Sequence, residues 1–200
     1  MILEQLYEIQ RNIGDRESEI QAYKWWTSAK KDTKNPDVVF VEDQLMQNGK
    51  IHTFNYNPKH KDKLDYYDKK PVVLSIGTIV NGRSRLELGI NLNFIPKPWK
   101  WQLLDTVQKT YSGFFQRVNS AKVPAFANKQ PMIRYNYNAL RAILNTYNVG
   151  FALRTYIPSR KSKLYVINYN SWVNAGLLSI EDFEGITYNQ MISQYKRSRN

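Results

Sequence analysis

The chain predicts an α+β fold: a small antiparallel sheet or barrel-like core with inserted and flanking helices, preceded by an N-terminal helical arm. Three observations carry that expectation. Apolar residues recur at helical spacing up to Trp26, four short alternating stretches crowd between Val38 and Ile95, and helical spacing returns at 99–118 and 137–148. With 200 residues, 42% of them apolar and 14% aromatic, there is material for one ordinary core, and no internal repeat or low-complexity tract divides it. The organisation expected is an arm and linker over 1–37 and a single α+β domain over 38–200.

Within the arm, Leu3, Leu6, Ile9 and Ile13, then Ile20, Tyr23 and Trp26, keep helical intervals on either side of Gly14 and Asp15, so two short helices or one broken helix is expected. The stripe suits either the chain's own core or a neighbouring subunit, because amphipathic spacing does not say whose surface is covered. Residues 27-TSAKKDTKNPD-37 are polar and end in Asn-Pro-Asp, as a linker does.

The texture then becomes extended. The pieces 38-VVFVE-42, 51-IHTFNYN-57, 72-VVLSIG-77 and 86-LELGINLNFI-95 alternate apolar and polar residues, and Asn48-Gly49 and Asn81-Gly82 are hairpin turn dipeptides. Pro96 and Pro98 stop the last piece, and Leu103, Leu104, Val107, Tyr111, Phe114 and Phe115 mark a helix over 99–118. After a loop at 119–131, Leu140, Ile143, Leu144 and Tyr147 mark a second helix closed by Gly150. Strand character returns over 151–169 around a turn at PSRKSK, and Ser179-x-x-Asp182 and Thr187-x-x-Gln190 announce two short helices at the end.

The charge is uneven. A formal excess of +12 sits wholly in the later part: residues 1–58 hold 7 Lys or Arg against 9 Asp or Glu, and residues 59–200 hold 22 against 8. Between Asp105 and Glu181 lie 75 residues with ten basic side chains and no acid. A solvated surface ordinarily mixes both signs, so this bias points to an anionic partner, either nucleic acid or an acidic protein. No apolar run approaches the roughly 18 residues a membrane span needs, and the acids of the first segment do not suit a signal peptide, so a soluble protein made in a reducing cytoplasm is expected.

Chemistry is sparsely represented. The absence of cysteine removes disulfides, thiolate nucleophiles and the common zinc sites, and His52 and His60 alone do not make a nitrogen metal site. His60, between Lys59 and Lys61, has no carboxylate nearby to orient it except Asp62 and is read as an exposed loop residue. Asp62, Asp65 and Asp68 would share a helix face and bind a divalent cation in a nuclease, but Pro58 and Pro71 bracket the segment and lysines interrupt it, so this is a remote alternative. No phosphate-binding loop or nucleophile elbow occurs. The expectation is therefore a non-enzymatic protein with no cofactor and no metal.

Two basic clusters are the better candidates: Lys59, Lys61, Lys63, Lys69 and Lys70, and then Arg154, Arg160, Lys161 and Lys163, with Tyr56, Tyr66, Tyr67, Tyr156 and Tyr165 close by in sequence. Cations around a hairpin follow a phosphate backbone, and the tyrosines either stack on exposed bases or simply pack. No recognition helix with base-reading Arg and Asn neighbours is present, so no sequence readout is expected.

The run 53-TFNYNPKHKDKLDYYDKKPVVLSIG-77, followed by 88-LGINLNFIP-96 and 101-WQLLD-105, resembles a family of tailed-phage virion proteins labelled DNA end protector proteins. The later segments 133-IRYNYNALRAI-143, 154-RTYIPSRKSKLYVINYNSWVNAGLL-178 and 180-IEDFEGITYNQMISQY-195 are similar in order, so the resemblance spans about residues 49–195. Asn57 stands where the family favours aspartate, Asp65 where it has proline, and Asn93 where histidine is common. The resemblance implies a structural component of the virion, made in the host cytoplasm and assembled in several copies, as a ring for instance, at the neck, tail or baseplate. Its partners would be portal, connector, tail or baseplate subunits and DNA. The alternative it implies is a protein that binds DNA ends and blocks exonucleases sterically.

Overall fold

A computed structural model describes residues 2–32, 34–42, 45–82, 84–120 and 152–197. The helix expected over 137–148 and most of the loop at 119–131 lie outside the described residues.

Helix α1 (Ile2–Lys31) is one broken helix: Gly14 sits at φ 77° and ψ 166° between its two halves, a conformation open to a residue without a side chain. Ile2, Leu6, Ala22, Trp26 and Ala29 enter the main core, whereas Ile13, Ile20 and Tyr23 stay exposed, so the chain's own core takes much of the stripe. The first turn of any helix carries N–H groups with no partner of its own. Here Asp105 accepts from the Leu3 N–H at 3.3 Å and Gln108 from the Ile2 N–H at 3.1 Å, both from helix α2 (Lys97–Ser120). The aspartate of the Trp-Gln-Leu-Leu-Asp motif thus serves as a cap for another helix.

Strands β1 (Val38–Phe40), β2 (Ile51–Tyr56), β4 (Val72–Asn81), β5 (Ser84–Asn91), β6 (Leu153–Tyr156) and β7 (Lys161–Ile167) form one antiparallel sheet in the order β1-β7-β2-β4-β5-β6. The four expected strands are all present. The sheet is open, with β1 and β6 as its edges, and not a barrel. Asn81-Gly82 turns β4 into β5, with Gly82 at φ 58°. Asn48-Gly49 turns the chain before β2 but joins no hairpin, because β1 pairs with β7 and not with β2.

One face of the sheet carries α1, α2 and helix α3 (Trp172–Leu177), a short helix the sequence reading did not anticipate. Gly176 is where these helices meet: a Cβ there would lie 3.2 Å from both Leu6 methyls and 3.4 Å from a Leu104 methyl. Trp101 donates its indole N–H to the Gly176 carbonyl at 2.9 Å. The opposite face buries Met46, Phe54, Val73, Tyr156 and Leu164, with Val41 and Tyr56 at its margin. His52 lies on this side, its Nδ1–H donating to the Lys50 carbonyl at 3.1 Å and its Nε2 accepting the Gln47 N–H at 3.0 Å.

A second sheet pairs β3 (Tyr67–Asp68) with β8 (Phe183–Glu184). This corrects the helix expected after Ser179: the Lys69 N–H donates to the Asp182 carbonyl at 2.8 Å, which keeps that stretch extended. Thr187-x-x-Gln190 does form the expected capping box at helix α4 (Tyr188–Arg197), with the Thr187 N–H to Gln190 Oε1 at 2.9 Å and the Gln190 N–H to Thr187 Oγ1 at 3.3 Å.

Candidate nucleic-acid interface

The loop between β2 and β3 leaves the sheet at Tyr56, whose register partner is Lys161, and the Asn57 N–H donates to the Arg160 carbonyl at 3.1 Å. That single hydrogen bond brings the two sequence clusters side by side. Lys59, Lys61 and Lys63 project from the loop and its 3₁₀ turn, all exposed, between Pro58 and Leu64. Pro58 and Leu64 line a cleft of about 520 Å³ at the β5–β6 edge, together with Tyr56, Tyr66, Tyr67, Phe94, Arg154 and Tyr156. The Arg154 guanidinium lies 4.8 Å from the centre of the Phe94 ring, which itself packs against Tyr66 at 6.0 Å. Arg160 is close enough for its charge to favour the tyrosinate of Tyr56, although burial dominates and raises that pKa. Of the nine expected cations, Arg154 lines this aromatic cleft, Lys59, Lys61 and Lys63 are exposed on the loop whose ends, Pro58 and Leu64, border it, and Arg160 acts on Tyr56 in its wall.

The remaining four divide. Lys70 and Lys163 join Lys30 and Lys31 from the end of α1 at a second cleft of about 700 Å³, lined also by Trp26 and Tyr165. The Lys30 ammonium has its pKa lowered by partial burial and then by the charges of Lys70, Lys163 and Lys31, as expected where like charges are gathered. Lys163 has φ 55°, the one positive value outside glycine among the described residues. The segment after Asp65 runs between the clefts, with Tyr66, Tyr67 and Asp68 on the first and Lys70 on the second. Lys69 is engaged by Asp182 at 3.2 Å and Glu184 at 3.0 Å.

Lys161 does not belong to this surface. Its side chain is 0% exposed and pairs with Glu87, itself 2% exposed, while the ammonium sits 5.4 Å from the Phe54 ring centre. The cause is a bulge. Asn55 pairs with Ser162 but Thr53 with Tyr165, so β7 carries one residue more than β2 at this point. An extra residue reverses the alternation, and Lys161 falls on the same inner face as Leu164.

The aspartates expected for the remote nuclease alternative are also separated. Asp62 and Asp65 are exposed, whereas Asp68 is buried and accepts from Asn91 Nδ2 at 3.0 Å, Asn93 Nδ2 at 2.8 Å and the Lys70 N–H at 2.9 Å. Burial raises the Asp68 pKa, and those donors hold it back. Among the described residues no group of three or more His, Asp or Glu is placed to hold a metal ion. The aspartate of the Tyr-Tyr-Asp motif and the asparagines of the Asn-Leu-Asn motif thus meet as one buried hydrogen-bonded set, with Asn93 donating where histidine is common. None of the described helices is long and apolar enough to cross a membrane.

Two residues of the second cleft, Lys30 and Lys31, had no signal in sequence beyond being a basic helix end, because nothing local places them beside residue 163. No curated protein and no solved structure is similar enough to the chain to match it. The sequence model of the family described as the phage T4 terminal DNA protecting protein matches residues 4–195, and on that extent this chain belongs to that family of phage proteins.

Proposed function

We propose that this protein binds the ends of duplex DNA and shields them sterically from exonucleases. The observation that carries the reading is the juxtaposition, by the Asn57–Arg160 backbone hydrogen bond, of the exposed Lys59, Lys61 and Lys63 with the segment of Arg154 and Arg160, about a hundred residues away in sequence, beside an aromatic cleft that Arg154 lines. The family to which the chain belongs supports this use over a place in the neck, tail or baseplate. Cations on loops and turns neutralise phosphates without selecting a sequence, and protection of ends requires no more than that. Asp62 and Asp65 moderate the charge of the loop but do not cancel it. Virion partners and a multi-copy assembly fit the family, and the exposed Ile13, Ile20 and Tyr23 of α1 offer such partners a surface.

The test is retention of blunt linear duplex against the same DNA as a closed circle, across a salt series, with a processive exonuclease as the functional readout. The expected outcome is tighter binding to linear DNA, a slope near −0.9 in log affinity per phosphate neutralised, and survival of the linear substrate. Equal, weak retention of both forms with digestion unimpeded overturns the reading.

A further inference from the structure

The aromatic cleft explains how an end could be told from the interior of a duplex. We propose that it takes the last base of a DNA strand, unpaired from its complement, with the adjoining phosphates on Lys59, Lys61, Lys63, Arg154 and Arg160; this rests on the end-binding reading above. Its volume of about 520 Å³ suits one nucleotide and is too small for a duplex, falling in the range of roughly 300–1,000 Å³ typical of small-ligand sites.

The lining has the composition that stacking needs. Tyr56, Tyr66 and Tyr67 are only half-buried, and the apolar side chains Leu64 and Ile79 at the cleft remain 45% and 40% exposed. Large apolar groups left in water beside a concave aromatic surface mark a place for a flat, weakly solvated ligand. Arg154 lines this surface and Lys59, Lys61 and Lys63 are exposed on the loop between Pro58 and Leu64 at its border, so a base would enter with its phosphate outside. Deeper in, the Asp68 carboxylate and the Asn91 amide are committed to each other. That pair offers no ready partner to one base edge over another, so stacking, which tolerates any base, carries the contact.

An end is favoured because only there does an unpaired base come cheaply. Extruding an internal base costs a few kcal/mol of stacking and pairing, whereas a terminal pair has a stacking neighbour on one side only. A closed circle meets the phosphate contacts but leaves the cleft empty.

The experiment uses the full chain and blunt duplexes carrying 2-aminopurine either at the terminal nucleotide or in the middle. Binding should change the emission of the terminal probe and leave the central one unaltered. Tyr66→Ala should weaken binding to ends by about 5- to 150-fold, the range of one stacked base, while Tyr66→Phe binds as the wild type and both variants bind circles equally. Ile79→Glu, at an already exposed position, places a carboxylate beside the cleft and should reproduce the loss if Tyr66→Ala proves misfolded. A silent terminal probe with unimpaired Tyr66→Ala and Ile79→Glu, in a protein that still prefers linear DNA, overturns the cleft and leaves end binding intact. If the wild type shows no preference for ends, deoxyadenosine 5′-monophosphate decides the cleft by itself. Nucleotide-induced NMR shifts lost in Ile79→Glu uphold it, and their absence in the wild type ends it.

Discussion

Replacing Lys161 by methionine separates a structural lysine from a DNA-binding one. Glu87 and Lys161 are buried together, and Glu87 Oε1 also accepts the Met46 N–H at 2.6 Å. Removing the ammonium leaves a carboxylate in the interior without its counter-charge, which costs about 3–5 kcal/mol. For a domain of this size that is a fall of roughly 6–20 °C in Tm. Methionine keeps most of the stem packed against Phe54, so the loss reports charge and not a cavity. Converting both residues, in Lys161→Met with Glu87→Met, removes both charges and strands only the Met46 N–H, at about 1–3 kcal/mol. The double variant should therefore be more stable than Lys161→Met alone. Urea unfolding at pH 7 measures this, and the difference should be insensitive to salt because neither group meets solvent. The folded variant should keep the wild-type salt slope for DNA. A loss under about 1 kcal/mol, additive effects in the double variant, or a slope reduced by about one as for a phosphate contact would refute the assignment.

Three further outcomes follow from the geometry. Burial lowers the His52 pKa to about 3; since the unfolded chain binds this proton near the ordinary value of 6.5, His52 makes stability fall as pH drops below 6.5 towards 3, by up to about 1.4 kcal/mol per pH unit, and urea midpoints of wild type and His52→Gln over that range should show the shallower acid limb in the variant. Lys163→Gly relieves the left-handed backbone strain of a residue with a side chain and should raise stability by up to about 1 kcal/mol, while lowering DNA affinity, as thermal melts and filter retention would show. Gly176→Ala presses a methyl against Leu6 and should cost about 1–3 kcal/mol by overpacking, whereas Gly77→Ala, where a Cβ meets nothing within 4 Å, should melt near the wild type.

Local signals in the sequence locate much of the described fold. Alternation at 51–57 and 72–77, the break at Gly14 and the capping box at Thr187 are each settled by neighbours a few residues away, and all are found. What sequence hides is decided by distant partners. Ser179-x-x-Asp182 reads as a helix start, yet pairing of Phe183 with Asp68 extends it, and a ladder with a strand 115 positions earlier outweighs a local cap. The basic clusters were visible as composition, but their division was not. One inserted residue in β7 sends Lys161 inward and leaves Lys163 at φ 55° beside Lys30 and Lys70. Period-two reasoning has no means of detecting a bulge whose cause lies on the partner strand. The tyrosines show the same limit: Tyr56, Tyr66, Tyr67 and Tyr156 were each near a cation in sequence, but only the fold gathers them into one cleft.

Gly185 stands at φ 83°, where a Cβ would lie 2.3 Å from the Asp65 carbonyl oxygen. The lysine-bearing loop is thus seated by a segment synthesised more than a hundred residues after it. Until β8 arrives, β3 has no strand to pair with. A nascent chain therefore carries the charge of this loop before the segment that seats it has been made. That order of events ties the final position of the loop to the later half of the chain.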